Sequence, residues 1–260
     1  MPNNRKNLIL LSLSPLITLA ILVILSLVIA LAVGNEIIFP EPLSVAKEFF
    51  ALFADGSFYL SLLSTLLKVI VSFAVSLVLG AGFAVLASSG KVLERALFPI
   101  VAVSRATPTM SVIFLCLLWL GRDVSPVIVT VIVGFPMVYS AILNAIKACD
   151  KKILEMSKSF GVSKRTQFFS YLLPTVADGA YLNLAATLAF CVKLVISAEA
   201  ISMSNLTLGR MMQISNDNLL TAKLFAITVV AIVIGMGLEY LLIILRKLYR
   251  RAKYGENSRS

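Results

Sequence analysis

The run STLLKVIVSFAVSLVLGAGFAVLA, residues 64–87, carries a single charge, Lys68, in 24 positions. As a helix rising 1.5 Å per residue it would reach about 36 Å, enough to cross the ~30 Å hydrocarbon core of a bilayer. Its apolar residues follow one another without the alternation of a barrel strand, so a helix is the spanning form that satisfies its backbone. Apolar runs recur at 8–33, 109–120, 124–146, 176–198 and 222–245. The expected fold is all-α and integral to the membrane, with about six transmembrane helices.

Composition leads to the same class. Hydrophobic residues are 59% of the chain and charged ones 14%, with a mean hydropathy of +0.97. A water-soluble domain cannot hide that share, so lipid is the main solvent. The formal net charge of +10 would suggest nucleic acid in a soluble domain. Here the basic residues collect in short segments between apolar runs and read as topology signals, with no nucleic-acid partner expected.

Several chemistries are excluded. There is no histidine, and Cys116, Cys149 and Cys191 are too scattered for a zinc site, a disulfide framework or a thiol triad. A phosphate-binding loop is missing, since Gly90-Lys91 is followed by Val92 and position 85 is Val. No cofactor is expected, and any nucleotide that drives the protein must bind another subunit.

The basic start at Arg5 and Lys6 and the Ala30-Leu31-Ala32 triplet are signal-like, but the apolar region between them is too long for a signal peptide and reads as a retained first span. Phe39-Pro40-Glu41-Pro42 opens a short amphipathic helix. Leu43, Ala46, Phe49, Phe50 and Phe53 form its apolar face, and Asp55-Gly56 is its stop. Gly80, Gly82 and Ala84 are small residues suited to close helix packing. Residues 91–104 read as a short mixed segment and Arg105-Ala106-Thr107-Pro108 as a break, before a third span, 109–120, that is short for a crossing. With the N-terminus in the cytoplasm, 16 of the 23 Lys and Arg fall inside and four outside, which sets both termini cytoplasmic. The organisation is then an N-terminal segment (1–7), a transmembrane domain (8–245) containing a long inner loop (147–175), and a basic tail (246–260).

That loop carries the most information. Asp150 caps a helix from Lys151 to Phe160, Gly161 suits the left-handed residue that ends it, and Ser163 caps a second helix reaching Leu173 before Pro174. Ile153, Met156 and Phe160 share one face of the first helix. Phe168, Phe169, Leu172 and Leu173 would pack the second against the membrane helices.

Here the chain resembles the permease subunits of ATP-binding-cassette importers. Their signature is Glu-Ala-Ala, three residues, Gly, nine residues, Ile, one residue, Leu-Pro. This chain has Glu155-Met156-Ser157, Gly161, Tyr171 and Leu173-Pro174 in that register. The resemblance extends over about residues 39–245 and is greatest to the branch importing nitrate, sulfonates, taurine and thiamine-pyrimidine precursors. Pro40-Glu41-Pro42, residues 64–68, 105–108 and 118–121, and Ala198-Glu199 before Leu208-Gly209 carry it. Lys68 stands where that branch has arginine, and Thr207 where it has the first residue of Gly-Leu-Gly. The resemblance implies a type I importer permease in a prokaryotic cytoplasmic membrane, and a homodimer forming the pathway. A separate ATPase would dock on Glu155, Gly161, Leu173 and Pro174, and an external binding protein would deliver the solute.

Charges inside apolar spans need a reason, since a central Lys or Arg costs about 2.5–3.5 kcal/mol on insertion scales. Snorkelling is the expectation for Lys68 near the outer end of its span and for Arg105 near the cytoplasmic end, with Arg105 also a candidate to line the pathway. Lys193 lies deeper. It either faces the pathway, favouring an anionic or strongly polar solute, or pairs with another helix; Glu199, six residues on, is off its face but near the outer mouth. The rival readings are a self-sufficient secondary transporter, with only Asp178, Glu199 and Glu239 as intramembrane carboxylates, and a membrane enzyme, disfavoured by the missing histidine.

Overall fold

A computed structural model describes residues 4–254, with side-chain surroundings for 17–18, 20–150 and 152–251. The ends of the expected N-terminal segment and tail, 1–3 and 255–260, lie outside the described residues. The elements are α1 (Asn4–Val33), α2 (Pro42–Leu52), α3 (Gly56–Ser88), α4 (Lys91–Ala106), α5 (Thr109–Leu120), α6 (Ser125–Lys147), α7 (Lys151–Ser159), the single turn α8 (Lys164–Gln167), a π-helical turn (Phe168–Leu172), α9 (Leu173–Ser202), α10 (Leu208–Asp217) and α11 (Thr221–Tyr254). No strand occurs among the described residues.

Among the described residues four helical stretches are each long and apolar enough to cross a bilayer: Gly56–Ser88, Ser125–Lys147, Lys164–Ser202 and Thr221–Arg251. α1 is a 30-residue helix whose described apolar part is Ala20–Val33. The third expected span does not cross alone. α5 has 12 residues, about 18 Å of rise, and reaches membrane length only together with α4, from which it is bent by 93°. Residues 91–104, read as a short mixed segment, form most of a regular helix with Pro99 inside. The bend sits where Thr107 is forced extended by the following Pro108. The basic tail also changes character, because α11 carries the helix through Arg246 and Arg250 to Tyr254.

Two prolines shape these helices. Pro136, inside α6, has no N–H for the Ile132 carbonyl, and the Ser104 hydroxyl of α4 donates to that oxygen at 2.5 Å. Pro174 was expected to follow a helix end. Instead the chain stays helical from Lys164 to Ser202, with Pro174 in the first turn of α9. A π turn just before it absorbs the misfit: the Leu173 N–H donates to the Phe168 carbonyl, five residues back.

The chain packs as two units, one drawn from the chain up to Tyr59 with Met211–Val230, the other from Leu60–Arg210 with the chain from Ala231 on. In the first, Thr221 Oγ1 donates to the Ile37 carbonyl at 2.5 Å, and the Phe39 and Phe225 rings meet edge to face at 5.6 Å. The second is built around α6 and α9. Its core joins Ala84, Val138, Ala141, Ala145 and Ala180, small side chains that bring helix backbones close without a hydrophobic drive from water.

Candidate functional site

The loop at the Lys147 end of α6 is held by its own polar groups. Asp150 Oδ1 accepts from the Lys152 N–H at 2.8 Å, the cap that opens α7. At the other end Gly161 has φ +72°, and two backbone bonds, Gly161 N–H to the Lys158 carbonyl and Val162 N–H to the Ser157 carbonyl, close a Schellman turn. A side chain at Gly161 meets open space, so only its backbone conformation restricts the residue. Ser163 Oγ caps α8 by accepting from the Thr166 N–H. The Tyr171 hydroxyl then bonds back to the residue that caps α7, accepting from the Asp150 N–H at 3.2 Å. Sequence reasoning saw Tyr171 only as a departure from isoleucine.

The loop's apolar side chains stand uncovered. Phe160 is 80% exposed, with Ile153 and Met156 also exposed on α7. Of the four side chains expected to pack the second helix, Phe168, Phe169 and Leu173 are exposed, the two rings edge to face at 5.1 Å, while Leu172 is half-buried. Lys152, Glu155, Lys158, Lys164 and Arg165 surround them with charge. Beyond Pro174, Arg246 of α11 forks onto Asp178 Oδ1 at 2.6 and 3.0 Å and onto the Pro174 carbonyl at 3.4 Å, tying the base of α9 to α11.

At the opposite end of α9 lies a buried polar knot. Glu199 has no exposed surface; its Oε2 accepts from Thr65 Oγ1 at 2.9 Å and from the Gly209 N–H at 3.3 Å, and its Oε1 lies 3.6 Å from Lys68 Nζ. Lys68 also donates to Ser204 Oγ, which donates to Asp123 at 2.8 Å. The Ser204 hydroxyl, then the Asn205 backbone N–H, hold the Asp123 carboxyl below its usual range. Gly209 is required here, because a Cβ would run into Glu199 and the α9 backbone. Thr207 caps α10 by accepting from the Arg210 N–H, which accounts for threonine at that position. Met203 and Leu206 take positive φ of 51° and 46°, strained for residues with side chains. Lys68 therefore does not snorkel free. The two partners stand 131 positions apart in the chain, which hid the pair from sequence reasoning.

The other two candidates stand apart from that knot. Arg105, exposed in the last turn of α4, donates from Nη2 to the Pro136 carbonyl at 3.2 Å and to Ser140 Oγ, which lies two turns along α6 from Lys147, or about 10 Å. Lys193 is exposed on a strip of α9 that also exposes Asn183, Ala186 and Ser197, and it makes no ion pair among the described residues. No cluster of His, Cys, Asp and Glu able to hold a metal occurs among the described residues.

The family model for the binding-protein-dependent transport system inner membrane component matches residues 76–252, a stretch holding α4 to α10, the loop and the knot's Asp123, Glu199 and Gly209. The chain belongs to that family. It is thus a transport permease component. Among similar proteins is the formylaminopyrimidine transport permease protein ThiX of Halalkalibacterium halodurans, 24% identical over 63% of this permease and 66% of its own length, just under two thirds. Another is SsuC of Bacillus subtilis, named as an aliphatic sulfonates transport permease, 24% identical over 85% of this permease and 80% of its own length. In solved structures the same fold occurs in a chain of the MetNI methionine ABC transporter, TM-score 0.60 at 18% identity, covering 74% of this permease and 94% of that chain. A chain of an amino acid ABC transporter crystallised with histidines gives TM-score 0.58 at 18% identity, covering 80% and 94%. The fold is that of ABC importer permeases.

Proposed function

We propose that this permease forms the translocation pathway of an ABC importer for a small anionic or strongly polar solute of the sulfonate, nitrate, taurine or thiamine-precursor type. A separate ATPase subunit drives it through the loop 147–175, with Glu155 and Gly161 at the docking surface and Leu173-Pro174 passing the motion into α9. A solute-binding protein delivers from outside, a second copy completes the pathway, and both termini are cytoplasmic. Lys193 and Arg105 line the path, and Glu199 with Lys68 closes its outer end.

The observation that carries this reading is the loop itself. A short helix fixed at both ends and closed by Tyr171 onto Asp150 leaves Phe160 and its apolar neighbours uncovered, the surface of a segment that docks into a groove. Arg246 on Asp178 and Pro174 supplies a rigid link from that dock into two long helices. The α9 strip of small and polar residues around Lys193 suits a watery path or a second copy better than lipid.

The test is uptake by proteoliposomes holding the permease with its cognate ATPase and binding protein. Uptake is expected only with all three and ATP. Accumulation by the permease alone on an ion gradient would replace this reading with a secondary transporter.

A further inference from the structure

We propose that the cavity between α4 and α6 is an oxyanion site on the solute's way out of the permease, with Arg105 as its deep anchor; this rests on the transport reading above and narrows its substrate to anions. The cavity measures about 770 Å³. Lys91, Arg95 and Arg105 lie on one face of α4, at spacings of four and ten residues, and Ser140, Asn144 and Lys147 on one face of α6, at four and three. Both polar faces line the cavity. Four cations thus meet a single carboxylate, Glu94, which is already taken by Lys147 at 2.5 Å. Among the described residues Lys91 and Arg95 make no ion pair.

Ordinary topology signals explain the cations at the Lys147 end, but not Arg105. Its guanidinium meets α6 two turns from Lys147 and, among the described residues, hydrogen-bonds protein oxygens through Nη2, which leaves Nε and Nη1 as donors on a cavity wall. A guanidinium fork matches the paired oxygens of a sulfonate, phosphate or nitrate. Phe98, Ala102 and Leu143 give the same cavity an apolar side for the carbon part of such a solute. Lys91, Arg95 and Lys147 then continue the positive potential over the remaining length of α4, about 21 Å from Arg105 to Lys91.

The test reads potential and occupancy in the full permease without ATPase, so that failure of coupling and failure of this site are distinguished. With Cys116, Cys149 and Cys191 replaced by Ala, Asn144→Cys is modified in phosphatidylcholine nanodiscs by methanethiosulfonate reagents, one sulfonated and one quaternary-ammonium. The sulfonated reagent should be favoured relative to the ratio for a neutral small thiol. Adding R105Q removes one charge about a helical turn away and should change each rate by about threefold in opposite directions, so the ratio falls about tenfold; R105K should keep it. Ethanesulfonate should slow modification with Arg105 present and not with R105Q. A ratio equal to that of the free thiol, or protection indifferent to R105Q, would overturn the proposal. Protection that needs phosphatidylglycerol in the nanodisc and never comes from ethanesulfonate would overturn it too, since the oxyanion would then be a lipid headgroup.

Discussion

Ser104 shows how one hydroxyl completes a helix that a proline has opened. With no N–H at Pro136, the Ile132 carbonyl would be left bare in hydrocarbon, and Ser104 occupies it from the neighbouring helix. We expect Ser104→Ala to destabilise the permease by about 1–3 kcal/mol, the cost of an orphaned buried acceptor, seen as a lower unfolding temperature in detergent. Pro136→Ala restores the missing donor within α6, so Ser104→Ala should cost much less in that background. Equal costs in both backgrounds would show that the hydroxyl does something else. The Lys68–Glu199 pair has the same long-range character: each group fills a need created by a residue far away in sequence. Neither was legible, because no local pattern marks a partner on another helix. Asp150, Gly161 and Ser163 were legible for the opposite reason. Their bonds reach two to five residues, and caps are written locally.

At the scale of elements, hydropathy places 124–146 to within a residue of Ser125–Lys147, but it opens the second span at 64 where the helix already begins at Gly56. It fails where helix and hydrophobicity part company. α4 mixes charge with apolar residues and was not seen as a helix, and Pro174 was read as a stop although a π turn carries the helix through it. α7 and its turn form the element with most at stake, since the transport reading needs them on the cytoplasmic side. In a cysteine-free background in intact cells, an impermeant thiol reagent should label Ser57→Cys, exposed beside the start of α3, and leave Ser163→Cys untouched until the cells are opened. Labelling of Ser163→Cys in intact cells would invert the topology and place the loop beyond reach of an ATPase.

On the scale of the whole molecule, one copy offers one docking loop and one polar strip on α9, which a two-fold pair would turn into two docks and a shared path. Differently tagged copies should therefore co-purify, and failure to do so would require a different second permease. The central claim is that the loop couples ATP hydrolysis to the membrane helices. Its most direct measurement is solute-stimulated ATP hydrolysis by the reconstituted complex carrying Gly161→Val or Glu155→Lys. Gly161→Val forces a β-branched residue to φ +72°, at a cost of about 1–3 kcal/mol, and tilts α7; Glu155→Lys reverses an exposed charge on its surface. Neither position lies in an apolar span, so both variants should reach the membrane at wild-type abundance while stimulation falls by about tenfold or more, in keeping with a cost of that size. Full stimulation in both variants, at equal abundance, would contradict the assignment of this loop as the coupling element.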